Sequence, residues 1–567
     1  MPIVDRRSFL GSAGGGAMVL SASGAGAAVL RDDRAARLDA VLGAAVSTNG
    51  PGMAVGMVQG GKTVLLRGYG LADMESGAPF TTRTPVCVAS VSKQFTAFAI
   101  GLLVDEGKVD LSADVRAYLP WVPDFGTTIR VGHMIHHVSG LRDQWNLFII
   151  AGKQMEDLLD RGQVIAAVKR QRALNFPPGS DFAYSNTAYT LLAEIVEAAS
   201  GKSLRAFAAE RIFAPLGMTA SFFDTDTHDI VRDRAASYEK RDDGRWGRSI
   251  LSHSIVGSTN LVTTVEDLLK WQGFILSPSG PLKTVADRAL DPVILSDGTP
   301  VKYGYGLYRG KVAGFDVFGH GGSVAGFRTN VMWIPGADAA IVALRNDSGN
   351  AVEAMTKIVD IYLPAGGAKP AAAARHAPIA WTATTMNGLV GQWLAPNRIV
   401  LTIAETPSGL SLATAAAPPK AIILRDDGTF DTGAFRGTCY RVVRDAAGRA
   451  IQLYEDNAYA QGISRPYHRV TAATPAAAQL AEIVGAYQSK ELDIIHRFTV
   501  EGGRLVSRDI WSTEPVVWQP SITDRFDACG KWADWLGNLD VIRDTAGRVV
   551  AVAFSSVRAR NIRLDRI

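Results

Sequence analysis

Ser90 and Lys93 are the first residues whose types and spacing could do chemistry. They open and close the tetrad Ser90-Val91-Ser92-Lys93, and residues three apart share a helix face, so hydroxyl and amine can meet. A serine activated by a neighbouring base becomes a nucleophile, and a helix start favours the negative charge that then develops. The alternative is that Ser90 caps the helix. A second tetrad, Ser237-Tyr238-Glu239-Lys240, lies in polar sequence, whereas only the first opens an amphipathic helix.

Two later groups supply further polar residues in a fixed order. Tyr184-Ser185-Asn186 follows the turn Phe176-Pro177-Pro178-Gly179-Ser180, and His320-Gly321-Gly322 begins a predicted strand. Each group has a structural alternative: a core tyrosine, a capping asparagine and a glycine turn. The three groups in this order favour a catalytic site over three coincidences.

His133, His136 and His137 raise the question of a metal site. His133 and His137 lie four residues apart and would share a helix face. No third and fourth ligand accompanies them. The sequence therefore predicts no metal and no other cofactor.

The three groups together resemble the serine β-lactamase and penicillin-binding superfamily. Within it they look closest to the class C-like and D-aminopeptidase branch, with Tyr-x-Asn second and His-x-Gly in place of Lys-Thr-Gly. Similar stretches flank them: 89–97, 137–141, 216–218 and 257–262. The resemblance covers about residues 39–348.

The resemblance implies a role for each site residue. Ser90 would attack a carbonyl and form an acyl-enzyme, Lys93 and Tyr184 would remove its proton, and the Lys93 ammonium would lower the pKa of Tyr184. Asn186 would orient Lys93 or the substrate amide, and His320 would bond the Tyr184 hydroxyl or a substrate polar group. The backbone N–H groups of Ser90 and Ser323 would stabilise the oxyanion. The expected catalytic residues are thus Ser90, Lys93, Tyr184 and His320, and the expected substrate-binding residues are Asn186 and Ser323.

The elements around these residues predict an α+β fold. The apolar runs on either side of Gly60-Gly61 predict a β-hairpin, and the spacing after Ser90 predicts a helix that ends near Gly107. Further helices are predicted near 160–171, 187–200 and 265–274, and strands at 315–318 and 327–345. With the resemblance, this indicates a β-lactamase-like domain over 31–364, an antiparallel sheet flanked by helices plus a helical subdomain.

The remainder of the chain is predicted to hold two antiparallel β-barrel-like domains. An Ala/Pro/Gly-rich linker over 365–380 precedes domains at 381–471 and 476–567. Two motifs recur between these domains: 389–393 matches 483–487, and 444–449 matches 543–548. The second motif alone could be a common hairpin turn, but two pairs in the same order favour duplication.

The last domain offers a candidate contact with the cleft. The resemblance implies that one of its loops reaches the active site, and residues 521–527 could supply it. Asp524 or Asp527 would then pair with a substrate ammonium, although both could be ordinary turn residues.

The N-terminal sequence indicates where in the cell the protein acts. Residues 1–30 begin with Asp5-Arg6-Arg7-Ser8-Phe9-Leu10 and read as a twin-arginine export signal, which predicts a periplasmic or secreted protein without a stable membrane span after cleavage. The alternative is a disordered Ala/Gly-rich start with a chance arginine pair.

Hydrophobic residues make up 47% of the chain and the net charge is only +4, which indicates a globular protein and argues against nucleic acid as a partner. A small-molecule or peptide substrate and a homodimer are compatible with this composition.

The function expected from residues and resemblance is that of a serine aminopeptidase or amidase. Its substrates would be small peptides with an N-terminal D-residue. A carboxylic esterase is the next alternative, and a class C-like β-lactamase or D-alanyl carboxypeptidase follows. The non-enzyme alternative is a cell-wall binding protein that has kept a hydrolase fold.

Overall fold

The structure is a computed structural model. It describes residues 33–312, 314–363, 376–414, 417–432, 438–457, 463–509, 514–530 and 533–567. The predicted export signal (1–30) and most of the predicted linker (365–375 of 365–380) lie outside these ranges. At the end of the predicted linker, Pro378 forms a β-bridge with Arg425.

Residues 33–363, the N-terminal unit, are built on a seven-stranded antiparallel sheet in the order β12-β13-β14-β15-β16-β1-β2. The strands of this unit are β1 Met53–Gln59, β2 Lys62–Tyr69, β3 Leu71–Asp73, β4 Ala78–Pro79, β5 Val86–Cys87, β6 Phe222–Phe223, β7 Tyr238–Lys240, β8 Trp246–Arg248, β9 Leu261–Thr263, β10 Val293–Ile294, β11 Pro300–Val301, β12 Tyr303–Gly304, β13 Leu307–Val312, β14 Phe315–Val324, β15 Phe327–Ile334 and β16 Ala339–Arg345. The predicted hairpin is confirmed as β1 and β2, and Gly60 and Gly61 make its turn with φ of 55° and 70°.

Helices cover both faces of this sheet. They are α1 Arg34–Ala45, α2 Ser92–Asp105, α3 Val131–Ile135, α4 Gln144–Ile150, α5 Arg161–Arg170, α6 Asn186–Ser200, α7 Leu204–Ala208, α8 Val265–Leu276, α9 Lys283–Arg288 and α10 Ala351–Tyr362. On one face α1 and α10 pack Leu38, Leu42 and Ile358 against the sheet. On the other face α2, α6 and α8 form the larger core. The α+β fold class expected from the sequence is confirmed.

The helix after Ser90 differs from the amphipathic helix that its spacing predicts. Residues 92–103 of α2 are all buried, polar side chains included. A helix can be buried on every side when its polar groups find partners. Here Gln94 Oε1 accepts from Trp271 Nε1 at 2.8 Å, and the Thr96 hydroxyl donates to the Gly257 carbonyl at 2.8 Å. The helix is thus a central structural element that holds Lys93 away from water.

Two β-structures follow the N-terminal unit. The first barrel is a nine-stranded, nearly closed antiparallel sheet, and the second barrel is a closed eight-stranded one. The first contains α11 Ala383–Met386, β17 Gly391–Leu394, β18 Val400–Thr406, β19 Gly409–Thr414, β20 Ala417–Ala421, β21 Ile423–Leu424, β22 Phe430–Asp431, β23 Thr438–Arg444, β24 Ala450–Asn457 and β25 Ser464–Val470. The second contains α12 Ala477–Ile483, β26 Gly485–Ser489, β27 Ile494–Glu501, β28 Arg504–Asp509, β29 Val516–Ile522, β30 Arg525–Cys529, α13 Ala533–Leu536, β31 Asn538–Arg543, β32 Val549–Ser555 and β33 Ile562–Arg566.

The two barrels repeat one anchoring arrangement. In the first strand of each, a buried aromatic side chain donates to the carbonyl four residues earlier, Trp393 at 2.9 Å and Tyr487 at 2.8 Å. An arginine from the last strand stacks on that ring, Arg469 at 5.3 Å and Arg566 at 5.7 Å from the ring centroid. These matched contacts support the duplication suggested by the repeated motifs.

In the part of the chain that the structure describes, no helix has both the length and the apolar character needed to cross a bilayer.

Candidate active site

Ser90 lies in a 3-10 turn, Ala89–Val91, directly before α2. Ala89 has a φ of 48°, a left-handed conformation that costs an alanine roughly 1–2 kcal/mol. Ser92 holds this turn in place, because its hydroxyl donates to the Ala89 carbonyl at 2.5 Å and accepts from the Leu261 N–H at 3.0 Å. The surrounding structure therefore imposes the conformation that presents Ser90.

Lys93 is fully buried, and its amine nitrogen has three oxygen neighbours. It lies 3.1 Å from Ser90 Oγ, 2.8 Å from Asn186 Oδ1 and 2.6 Å from the Ser258 carbonyl. Burial holds the pKa of Lys93 well below its ordinary value of 10.5; the carboxylate of Asp143 raises it and the charge of Arg558 lowers it further. A neutral amine has two N–H groups for the two carbonyl oxygens and one lone pair for the Ser90 hydroxyl. The geometry fits a base that faces the Ser90 proton.

Asn186 is oriented by Asp143. A single carboxylate oxygen of Asp143 accepts from the Asn186 backbone N–H at 2.6 Å and from its Nδ2 at 2.8 Å. The amide oxygen must therefore face Lys93. Of the two roles expected for Asn186, the structure shows the one in which it orients Lys93.

The Tyr184 ring is close to both the Lys93 amine and the Arg558 guanidinium. Lys93 Nζ is 4.9 Å from the ring centroid, and Arg558 Cζ is also 4.9 Å from it. Burial raises the pKa of Tyr184 well above 10, while the Ser90 hydroxyl and Arg558 lower it. The expectation that the Lys93 ammonium gives a tyrosinate is not supported, because burial acts on both groups and favours the neutral form of each. Lys93 is thereby the better proton acceptor, and Tyr184 a neutral hydroxyl that can pass a proton on.

His320 does not make the expected bond with Tyr184. Its Nδ1 lies 2.5 Å from the Gly321 carbonyl and so carries the proton, which leaves Nε2 to accept from the Tyr303 hydroxyl at 3.2 Å. Burial lowers the pKa of His320 to about 3, and Lys93 lowers it as well, so the imidazole is neutral. Its ring lies 6.0 Å from that of Tyr184. Tyr303 takes the hydrogen bond because β12 brings it to the same wall of the site.

Ser323 is exposed on β14, at the edge of the site. Its neighbour Gly322 shows how closely this strand approaches the nucleophile turn, since a Cβ there would meet the Val88 carbonyl at 2.3 Å and Ala89 Cβ at 3.1 Å. Thr329 on β15 also donates to the Val88 carbonyl, at 3.0 Å. The close approach of β14 to the Ala89–Val91 turn is compatible with the prediction that the N–H groups of Ser90 and Ser323 face the same oxyanion.

His137 supports the Tyr184-Ser185-Asn186 segment, a role that sequence reasoning missed. Its Nδ1 accepts from the Ser185 N–H at 3.1 Å, and its ring centroid lies 4.3 Å from that of Tyr184. The three histidines considered as metal ligands have separate partners, since His133 Nδ1 accepts from the Arg130 N–H and His136 Nδ1 donates to the Tyr303 carbonyl. Among the described residues, His376, Asp426 and Asp427, exposed on the first barrel, could share a metal ion.

The loop of the second barrel that reaches the site is 556–561, not the predicted 521–527. Asp524 forms a partly exposed ion pair with Arg543 at 3.1 Å. Asp527 lies on β30, where burial raises its pKa to about 6. The β32–β33 connection instead carries Arg558, whose carbonyl accepts from the Asp143 N–H and from Asn175 Nδ2, both at 2.9 Å. The general expectation of a barrel loop at the cleft thus held for a different loop. Arg558 and Arg560, which alternate along this loop, were the sequence feature that could have indicated it.

The second barrel is joined to the N-terminal unit by a buried interface. Leu147, Ile149 and Ile150 of α4 belong to the same apolar cluster as the barrel interior. Arg142 pairs with Glu491 of the barrel and donates to the Arg560 carbonyl at 3.1 Å. The barrel is therefore part of the structure that forms the site.

Comparisons with known proteins agree with this arrangement. The sequence model of the Beta-lactamase family matches residues 32–363. A D-aminopeptidase of Cereibacter sphaeroides is 28% identical over 450 residues, 78% of this chain and 80% of the relative. A D-aminopeptidase of Brucella canis is 27% identical over 532 residues, 91% of this chain and 96% of the relative. In fold, the octameric penicillin-binding protein homologue from Pyrococcus abyssi is similar over 76% of this chain and 99% of its own, with a TM-score of 0.54 and 21% identity. Because the family match spans more than half of the chain, this protein belongs to the beta-lactamase family of serine hydrolases.

Proposed function

We propose that the protein hydrolyses amide bonds of small peptides or amides that begin with a D-residue, with Ser90 as the nucleophile. The observation that carries this proposal is the contact of Ser90 with a buried amine, Lys93, oriented by Asn186. The choice of substrate rests on the two relatives named D-aminopeptidase, whose alignments cover 78% and 91% of this chain.

The proposed reaction begins with proton transfer from Ser90 to Lys93. Ser90 Oγ attacks the substrate carbonyl, and the N–H groups of Ser90 and Ser323 stabilise the oxyanion. Lys93 returns the proton, through the Tyr184 hydroxyl, to the leaving amine as the C–N bond breaks. Water then attacks the acyl-enzyme and gives a proton to Lys93. Lys93 passes this proton to Ser90 Oγ as the bond to the acyl group breaks, so the acid is released and Ser90 and Lys93 are restored. Asp143 and Asn186 keep Lys93 in place for both halves of the reaction.

The test is covalent labelling combined with stereochemical preference. A fluorophosphonate should add to the peptide that contains Ser90, as seen by mass spectrometry, and Ser90→Ala should remove the adduct. D-alanyl anilide should be hydrolysed faster than L-alanyl anilide. Labelling of Ser90 with ester turnover and no anilide turnover would replace the peptidase with an esterase, while absence of labelling would favour a binding protein.

The proposal includes export through the twin-arginine signal and action in the periplasm or outside the cell. It rests on the Asp5–Leu10 sequence. Replacement of Arg6 and Arg7 by lysine should leave the precursor in the cytoplasmic fraction. Light scattering of the mature chain tests the homodimer.

A further inference from the structure

Lys93 and Tyr184, the two candidate proton acceptors of the site, lie near a cation from the second barrel, Arg558. Arg558 Cζ lies 4.9 Å from the centroid of the Tyr184 ring. Its charge also lowers the pKa of Lys93. The loop that carries it is held by backbone contacts: Asp143 and Asn175 donate to the Arg558 carbonyl, and Asn175 Oδ1 accepts from the Arg560 N–H at 2.8 Å. The position of the loop that carries Arg558 is therefore set by docking of the second barrel.

A fixed positive charge disfavours every protonated cation near it and favours every anion. For Lys93 this means that the neutral amine is preferred, and for Tyr184 that loss of its proton is made easier. Both effects act in the same direction, so the conclusion does not depend on which group takes the Ser90 proton.

We propose that Arg558 is a positioning residue of the second barrel whose charge keeps the Lys93–Tyr184 pair one proton short, and hence ready to accept the Ser90 proton. The inference rests on the proposed function only in so far as Ser90 is the nucleophile. It gives the second barrel a part in proton transfer, in addition to any part in substrate choice.

Other charged or titratable groups also face this pair. Asp143 lies before α4 and opposes Arg558 at Lys93. The remaining groups are histidine and tyrosine side chains. They come from the segment after α3, from α6 and from the sheet: His137, Tyr189, Tyr303, Tyr308 and His320. Burial lowers the pKa of His137 and of His320, so both stay neutral near pH 7, and Arg558 is the barrel's cation at this pair.

The experiment compares pH profiles of kcat/KM in Arg558→Gln and Arg558→Lys with the native mature chain. The substrate is p-nitrophenyl acetate, which is neutral and is not a D-peptide. Because the loop is held by backbone atoms, Arg558→Gln should keep its docking. Removal of the charge should move the acid limb to higher pH by about one unit, because a nearby like charge disfavours the protonated form of Lys93. The plateau at high pH should stay within about twofold, and Arg558→Lys should keep the native limb.

The matched control is Arg563→Gln, which removes the same charge from the exposed end of the same barrel, where Arg563 pairs with Asp565 at 2.7 Å. It should not move the acid limb. The rate of fluorophosphonate labelling at each pH supplies a second readout.

An unchanged limb in Arg558→Gln, an equal shift in Arg558→Lys, or a loss of rate by the same factor at every pH would each overturn the proposal. If Arg558→Gln does not fold, Arg558→Lys and Arg558→Met are compared by the labelling readout. Loss of labelling in the native protein would instead count against the proposed function.

Discussion

The ion pair between Arg142 and Glu491 should dominate the stability of the interface between the N-terminal unit and the second barrel. The Arg142 side chain is 1% exposed and that of Glu491 is 12% exposed. Arg142 also donates to Gln171 Oε1 at 3.0 Å and to the carbonyls of Arg560 and Asn561, both at 3.1 Å. Four acceptors thus depend on a single guanidinium.

Arg142→Met should lower the free energy of unfolding by about 3–5 kcal/mol, because it leaves a carboxylate unpaired in the interface. Glu491→Gln should also cost about 3–5 kcal/mol, because it leaves the more deeply buried Arg142 guanidinium without its counter-charge even though an amide oxygen can still accept from it. The double variant Arg142→Met, Glu491→Leu should be more stable than Arg142→Met alone, because no buried charge is left without its partner.

The assay is urea unfolding of the mature chain followed by tryptophan fluorescence, with ester turnover recorded at each urea concentration. The matched control is Asp287→Ala, which breaks the exposed pair of Lys283 and Asp287 (2.6 Å) and should cost less than about 0.5 kcal/mol. A cost for Arg142→Met no greater than that of the control would refute the reasoning, as would a double variant less stable than Arg142→Met.

Three other predictions concern the site and its pH dependence. Ser90→Ala should abolish turnover without a change in unfolding. Ser237→Ala should keep at least half of the native rate, because Ser237 lies directly before β7 and its hydroxyl donates to the Ser249 carbonyl; the reverse result would reassign the nucleophile. Asp143→Asn removes the charge that raises the pKa of Lys93, so the acid limb of kcat/KM should move to lower pH. The value of kcat should fall, because Asn186 loses its anionic acceptor. An acid limb that moves to higher pH would contradict this prediction. Burial lowers the pKa of His253 to about 4 from an ordinary 6.5, so its contribution to stability is complete above pH 6.5 and is lost as pH falls toward 4; His253→Leu should flatten unfolding free energy against pH over that window, and an unchanged slope would refute it.

A protein truncated after residue 365 would keep Ser90, Lys93, Tyr184 and His320 but would lose both barrels. Leu147, Ile149 and Ile150 of α4 complete the interior of the second barrel, and Arg142 would lose Glu491. Truncation should therefore expose an apolar face and a buried cation, and we expect aggregation of the shortened chain.

Much of the site could be recognised along the chain because its parts are local. The three-residue spacing of Ser90 and Lys93 is a property of one helix turn, and the hairpin at Gly60-Gly61 is set by two residues with positive φ. The repeated motifs of the barrels predicted a duplication, and matched local contacts support it, because Trp393 and Tyr487 each donate to a carbonyl only four residues away. The family resemblance then supplied the overall α+β architecture.

Tertiary structure alone decided the environment of these residues, because burial and charge depend on groups that are distant in sequence. Lys93 meets Asn186 and Ser258 across 93 and 165 residues, and that packing, rather than the tetrad, lowers the pKa of its amine. His320 faces Tyr303 because neighbouring strands place them side by side. Sequence motifs determined which residues carry the chemistry of this protein. The proton balance among them, including the charge that Arg558 brings from the second barrel, was decided by how the domains pack.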